Sequence, residues 1–233
     1  MAIIEFRNVS KKYLMGEVTI NALHDASFTI NKGELVCILG PSGAGKTTCL
    51  NILGGMDSPT FGDVIVDGVN ISSLKGKNII KYRRKDIGFV FQFYNLVSSL
   101  TAIENVELAV QLTKDHLEPK EALKLVGLEN RLNNFPSQLS GGEQQRVAVA
   151  RAIAKHPKVL LCDEPTGALD YKTGKQVLAL LQDCARKNNM TVVIVTHNSA
   201  IKDMADKVIH FKNGTVTKIE INKNPTPIEM IEW

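Results

Sequence analysis

Three short stretches gather residue types suited to polyphosphate chemistry. "GPSGAGKTT", Gly40 to Thr48, satisfies the pattern G-x-x-x-x-G-K-[ST] in full. Gly40, Gly43 and Gly45, with Ser42 and Ala44 between them, let the backbone turn its amides inward around a β-phosphate, and a helix beginning near Lys46 adds the positive end of its dipole. Lys46 brings a mobile cation to the β- and γ-phosphates of a nucleoside triphosphate such as ATP. The Thr47 hydroxyl is placed to ligate Mg²⁺, with Thr48 next to it in the helix start. The second stretch, "VLLCDE", Val159 to Glu164, is an apolar strand ending in two carboxylates. Asp163 would hold the metal shell through water, and Glu164 would accept a proton from, or at least orient, the water that attacks the γ-phosphate. Taken alone, an acidic pair after a strand reads more readily as a solvated loop or a helix cap; following a full phosphate loop, the metal reading takes precedence.

The third stretch is "LSGGEQQR", from Leu139 to Arg146. Ser140 and Glu143 have the spacing of a capping box, and the two glycines expose backbone donors, so it reads as a second anion site at a helix start. With one phosphate loop in the chain, the economical expectation is that Ser140, Gly142 and Gln144 grip the γ-phosphate held by another copy. Capping of a buried helix is the plainer reading, and the apolar "RVAVARAIA" that follows supports it, but capping leaves the two glycines without a reason. Two further positions join the set. His197 closes the strand "VVIVTH" where an imidazole can reach a γ-phosphate oxygen, and Gln92 closes "IGFVFQ" with an amide oxygen available to a metal. His24, His116, His156 and His210 have no comparable setting.

These motifs, with "VLLCDEPTGALD" and "THN", stand in the order and approximate spacing of ABC-transporter nucleotide-binding domains, and the chain resembles that family over nearly its whole length. The resemblance implies an α/β, P-loop NTPase ABC-ATPase fold. Its parts are a mixed-sheet core, an N-terminal antiparallel β-subdomain and an inserted helical subdomain. It implies ATP and Mg²⁺ as cofactors, Tyr13 as the aromatic that stacks on adenine, Asp170 as part of the loop coupling two sites, and Glu164 as the catalytic carboxylate. It also implies that Gln92 links the nucleotide site to a membrane partner, and that a homodimer encloses ATP between Lys46 of one copy and Ser140, Gly142 and Gln144 of the other. "YLMGEVTINALHDASF", "LNILGGMDSPTFG", "RRKDIGFVFQFYNLVSSLTAIENVEL" and "EPTGALD" are similar to the branch serving macrolide export, lipoprotein release and bacitracin-type resistance. That likeness implies a permease with few transmembrane helices and a large extracellular domain, held at the inner face of the cell membrane. A cell-division adaptor of the same family is the alternative. A soluble translation or repair ATPase would carry two cassettes or a coiled-coil insertion, and neither is seen here.

The elements that must position these residues follow from periodicity. "IIEFRNV", "ASFTI" and "ELVCILG" read as strands, and "KTTCLNILGGM" as a helix stopping at a glycine pair. "GDVIVDGVNI" reads as a hairpin turning at Asp67-Gly68. Helical patterns dominate "TAIENVELAVQL", "EPKEALKLVGL" and Ser140 to Lys155; then "KVLLCDE", "KTGKQVLALLQDCARKN", "MTVVIVTH" and "SAIKDMAD" alternate strand and helix before a hairpin turned at Asn213-Gly214. This divides one ABC ATPase domain into a core with its β-subdomain (1–92 and 157–220), a helical subdomain (93–156) and a tail (221–233) expected to be loosely held, with Trp233 as a docking contact.

At 233 residues and 44% hydrophobic composition the chain can bury a full core, and a net charge of +4 from 28 basic and 24 acidic residues gives no argument for nucleic acid. Four cysteines without C-x-x-C spacing read as reduced core thiols, which fits the cytosol. The opening "MAIIEFRNVSKKY" has no secretory pattern, and no apolar run exceeds five residues, so neither secretion nor bilayer crossing is expected.

Overall fold

The computed structural model describes residues 1–111 and 113–232. Strands β1 (Ala2–Met15) and β2 (Val18–Asn31) form a long hairpin that is followed by β3 (Leu35–Leu39), helix α1 (Lys46–Leu53), β4 (Phe61–Val66), β5 (Val69–Asn70), α2 (Lys77–Lys85) and β6 (Ile87–Val90). Helices α3 (Ala102–Val110), α4 (Pro119–Leu125) and α5 (Gly141–Ile153) come next. The chain closes with β7 (Val159–Asp163), α6 (Tyr171–Asn188), β8 (Thr191–Thr196), β9 (Lys207–Lys212) and β10 (Thr215–Ile221).

Two sheets result. The smaller is antiparallel, in the order β2-β1-β4-β5; the larger runs β10-β9-β3-β8-β7-β6, parallel except for its edge strand β10. Every residue of β3 and β8 is buried, as are the first four of β7, because a parallel sheet covered on both faces has no solvent side. The two-residue period then sorts the side chains. Leu35, Cys37, Leu160, Cys162, Val192 and Ile194 join one apolar cluster with α3, α5 and α6, whereas Val36, Ile38, Val159, Leu161, Val193 and Val195 join a second with α1 and the antiparallel sheet. Phe6 stacks on Phe28 at 4.4 Å, and Phe28 meets Phe211 edge-on at 6.4 Å, tying the antiparallel sheet to β9. All four cysteines are free and buried, as core thiols.

Four features differ from the sequence expectation. The first two strands are 14 residues each, well beyond the apolar runs, because register shifts between Phe6 and Lys11 keep polar residues paired. There Ser10 Oγ accepts from the Asp25 amide at 3.0 Å, and the Asn8 amide donates to Ser27 Oγ at 2.9 Å. Helix α2 was not legible: in "KNIIKYRRK" the apolar stripe is only Ile79, Ile80 and Tyr82, of which Tyr82 alone is buried, and this is too short to announce a helix. "SAIKDM" is a 3₁₀ segment and not an α-helix. Lastly, the C-terminal segment is docked and not loose. Ile228 is fully buried, its amide donates to Gln182 Oε1 at 3.1 Å, and Gln182 Nε2 donates to Thr226 O at 3.0 Å. The docking expected of Trp233 lies outside the described residues.

Candidate functional site

The phosphate loop leaves β3 at Leu39 and enters α1 at Lys46. Gly45 caps that helix at φ 95°, and a Cβ there would stand 2.3 Å from Ala22 O, so both the turn and the approach of β2 require glycine. Lys46 is 7% exposed, and its Nζ donates to Gly40 O at 2.9 Å and Pro41 O at 3.0 Å. The ammonium thus rests on the loop that it would leave to meet a phosphate. Ser42, Gly43, Ala44, Gly45, Lys46, Thr47 and Thr48 line a cleft of about 780 Å³, together with Gln92, Asp163, Glu164 and His197. Gly40 stands behind the loop, closely packed on the Phe211 carbonyl.

The parallel strands deliver the remaining groups to one edge of the sheet, where their C-terminal ends meet. Asp163 ends β7, and its Oδ1 accepts from Thr47 Oγ1 at 3.3 Å. Burial raises the Asp163 carboxyl above its usual range and the charge of Glu164 adds to this, while Thr47 and Lys46 oppose it. A hydroxyl, an incompletely balanced carboxylate and the Gln92 amide are hard oxygen donors of the kind Mg²⁺ selects, and three protein groups leave room for water and phosphate oxygens.

Glu164 adopts φ 46°, a left-handed conformation uncommon for a glutamate, held by its amide donating to Val195 O at 2.9 Å. The turn aims the carboxylate along the cleft, where Oε1 lies 2.8 Å from Nδ1 of His197 at the end of β8. The residue types placed His197 on the phosphate; its contact with Glu164 comes from the adjacency of β7 and β8. Gln92 follows β6 closely enough to Gly167 that a Cβ on the glycine would come within 2.8 Å of Gln92 Nε2.

Tyr13 does not border this cleft. Its cross-strand partner Ile20 does, with Asn21 and Ala22, and the Tyr13 hydroxyl donates to Asp57 Oδ2 at 2.6 Å while Lys11 Nζ lies 4.9 Å above its ring. Asp170 caps α6 by accepting from the Thr173 amide at 3.1 Å and borders a smaller hollow with Glu164 and His197. Residues Ser140, Gly142 and Gln144 also lie outside the cleft of their own chain. Ser140 caps α5 in a full capping box: its amide donates to Glu143 Oε2 at 2.8 Å, and Arg131 Nε adds a bond to Glu143 Oε1 at 3.0 Å. Gln144 Nε2 turns back to Leu139 O at 3.0 Å.

Packing gives the two glycines the reason that capping lacked. A Cβ on Gly142 would fall 1.9 Å from Thr173 Cγ2, and one on Gly141 2.7 Å from the Tyr94 hydroxyl. Close packing is therefore a further reason for both glycines, beside the capping and the anion site expected from the sequence. One residue was overlooked. Gln145, fully buried, donates from Nε2 to Pro165 O at 2.8 Å and Phe91 O at 3.2 Å, tying α5 to the segments that carry Glu164 and Gln92. "EQQR" contains it, but which glutamine faces inward depends on the packing of α5.

The ABC transporter family model matches residues 23–167. An uncharacterized ABC transporter ATP-binding protein of Methanocaldococcus jannaschii is 45% identical over 226 residues, covering 93% of this chain and 96% of that protein. The lipoprotein-releasing system ATP-binding protein of Syntrophotalea carbinolica is 42% identical, over 93% of this chain and 97% of its own. Among solved structures, a dimeric ATP-binding cassette in a post-hydrolysis state bound to ADP and Pi superposes with a TM-score of 0.87 at 42% identity, covering 95% of this chain and 99% of the other.

Proposed function

The chain belongs to the ABC transporter family and is an ATP-binding, ATP-hydrolysing cassette, and from that premise we propose that two copies close around two ATP molecules to drive a separate membrane permease. The observation that carries this reading is the capped start of α5, where Ser140 is exposed and Gln144 partly so. Ser140 and Gln144 stand outside their own cleft, so they can serve a γ-phosphate only in a second copy. The relative solved as a dimer with ADP and Pi supports that arrangement.

Within each site the glycine loop and Lys46 bind the triphosphate, and the lysine exchanges its carbonyl partners for phosphate oxygens. Thr47 and Asp163, with Gln92 beside them, would hold Mg²⁺, whose charge would offset that of the β- and γ-phosphates. Glu164 orients the attacking water and accepts its proton, while His197, 2.8 Å away, fixes the carboxylate at the mouth of the cleft. An adenine reaching past the rim of the cleft at Ile20 would meet Tyr13, the strand partner of Ile20, as the family resemblance implies, and Asp170, bordering the hollow beside Glu164 and His197, would sense the opposite copy. Loss of the γ-phosphate removes the group that both copies touch, so the dimer opens.

Likeness to the lipoprotein-releasing ATP-binding protein supports a lipid-linked substrate, and the resemblance of the sequence to its branch of the family is the basis for proposing a permease with few transmembrane helices and a large extracellular domain, with a peptide or antibiotic as the other substrate classes. The cassette then sits at the inner face of the membrane through that permease. Among the described residues no helix is long and apolar enough to cross a membrane. Glu164→Gln is expected to retain ATP, lose turnover by about 10²–10⁴-fold and run as an ATP-dependent dimer in gel filtration. A monomer at saturating ATP would refute the closed pair.

A further inference from the structure

Where β6 and β7 begin, α2, the turn after α5 and the segment following α3 border an open hollow of about 770 Å³, lined mostly by exposed side chains. Lys158 lines it immediately before β7, whereas Asp163 ends that strand in the nucleotide cleft, so at ~3.3 Å per residue the two lie about 16 Å apart. The hollow is therefore at the opposite edge of the sheet from the ATP site.

Its walls carry seven Lys or Arg side chains against two aspartates, although the whole chain has a surplus of only +4. Asp86 pairs with Lys158 at 3.0 Å, and the exposed Asp115 lies 3.0 Å from the His156 ring. Among the described residues, Lys77, Lys81, Lys85 and Lys155 form no ion pair with a carboxylate.

Local folding does not account for this arrangement. Lys77, Lys81 and Lys85 repeat every four residues along one face of α2, where like charges repel, and Lys77 stands at the positive end of a helix that has neither a side-chain cap nor an acid in its first turn. Lys155 is half-buried, donating to Ile87 O at 2.7 Å and Arg83 O at 3.4 Å, and burial together with Arg151 pushes its ammonium down to about 8. A row of lysines with ~5–6 Å between neighbouring Cβ atoms, facing a desolvated ammonium, lacks a counter-charge that a group with several anionic oxygens would supply.

We propose that this hollow is a second anion site, taking a multiply charged phosphate group either from a soluble polyphosphate-type anion or from an anionic phospholipid headgroup. It does not depend on the closed dimer.

The test uses the full chain carrying Lys46→Ala, so that the nucleotide loop does not contribute, at ~0.1 M salt. Tripolyphosphate binding is read by calorimetry, and cosedimentation is read with vesicles of phosphatidylglycerol in phosphatidylcholine. Lys77→Glu with Lys81→Glu is the site variant. Both side chains are exposed and Lys77→Glu places an acid at the helix start, where the dipole favours it, so the fold is retained. Lys120→Glu with Lys223→Glu is the control for overall charge. Tripolyphosphate binding weakened at least ~tenfold by the site pair and unchanged by the control pair supports a soluble ligand. Vesicle binding lost in the same pattern supports a headgroup. The proposal is overturned if the parent binds neither probe, if both pairs weaken binding equally, or if poly-glutamate binds while both phosphate probes fail.

Discussion

Substituting alanine for Gly142 separates the packing of α5 from its service to a nucleotide. The added Cβ would lie 1.9 Å from Thr173 Cγ2, with Thr173 Cβ and Oγ1 at 3.3 and 3.6 Å. Carbon atoms prefer about 3.5–4.0 Å, so the methyl overlaps by ~1.6–2.1 Å and either α5 or α6 must give. Overpacking of this kind costs ~1–3 kcal/mol, and replacing glycine in a helix returns at most ~1 kcal/mol. Gly142 is only the second residue of α5 and collects part of that return, so the expected net loss is ~1–2 kcal/mol. For a chain of this size that lowers Tm by roughly 2–8 °C. Thr173→Ser removes the offending methyl while leaving the backbone amide that Asp170 caps, so the pair Gly142→Ala with Thr173→Ser should regain most of the stability, with a coupling of ~1 kcal/mol or more. Urea unfolding followed by circular dichroism measures all four corners of the cycle, and ATP turnover is measured on the same samples. A stable pair that remains slow assigns Gly142 a second duty toward ATP. A Gly142→Ala chain that unfolds at the wild-type midpoint, or a cycle without coupling, would refute the close-approach argument.

Removal of the Lys46 ammonium by Lys46→Ala should weaken ATP by ~10–100-fold or more, since a charged hydrogen bond contributes ~1.5–3 kcal/mol; unchanged affinity by calorimetry would contradict the role given to it. Acid should loosen the start of α5. Hydrogen bonds from Ser140, aided by Arg131, hold the Glu143 carboxyl below its ordinary range, so the folded chain binds that proton less tightly than the unfolded one. The stability it adds is present above about pH 4.3, the unfolded value, and is lost as pH falls through the depressed folded value. Glu143→Gln should flatten that decline in urea midpoints measured from neutral pH downward, and an unchanged decline would remove Glu143 from the account.

Much of the nucleotide site was legible because its parts are local. A phosphate loop is made by consecutive residues between a strand and a helix, and Asp163, Glu164 and His197 follow directly on apolar runs. The elements that escaped have their cause elsewhere in the chain. Helix α2 has only Ile79, Ile80 and Tyr82 as apolar residues in nine positions and buries only Tyr82 fully, too short a stripe to announce it, and the length of β1 and β2 depends on bulges that Ser10 and Asp25 satisfy across 15 positions of sequence. The docking of residues 222–232 depends on Gln182, a side chain of α6 that bonds backbone 44 residues away.

By itself the order of residues determined that a triphosphate can be cradled, and which carboxylate and imidazole stand near it, because backbone amides, strand ends and helix starts are settled within a few positions. Only the assembled chain decided that Glu164 faces His197, that Gln145 and not its neighbour turns inward, and that Gly142 is demanded by Thr173. Those outcomes depend on contacts between elements far apart in sequence, where a side chain's role is set by what packs against it and not by its own type.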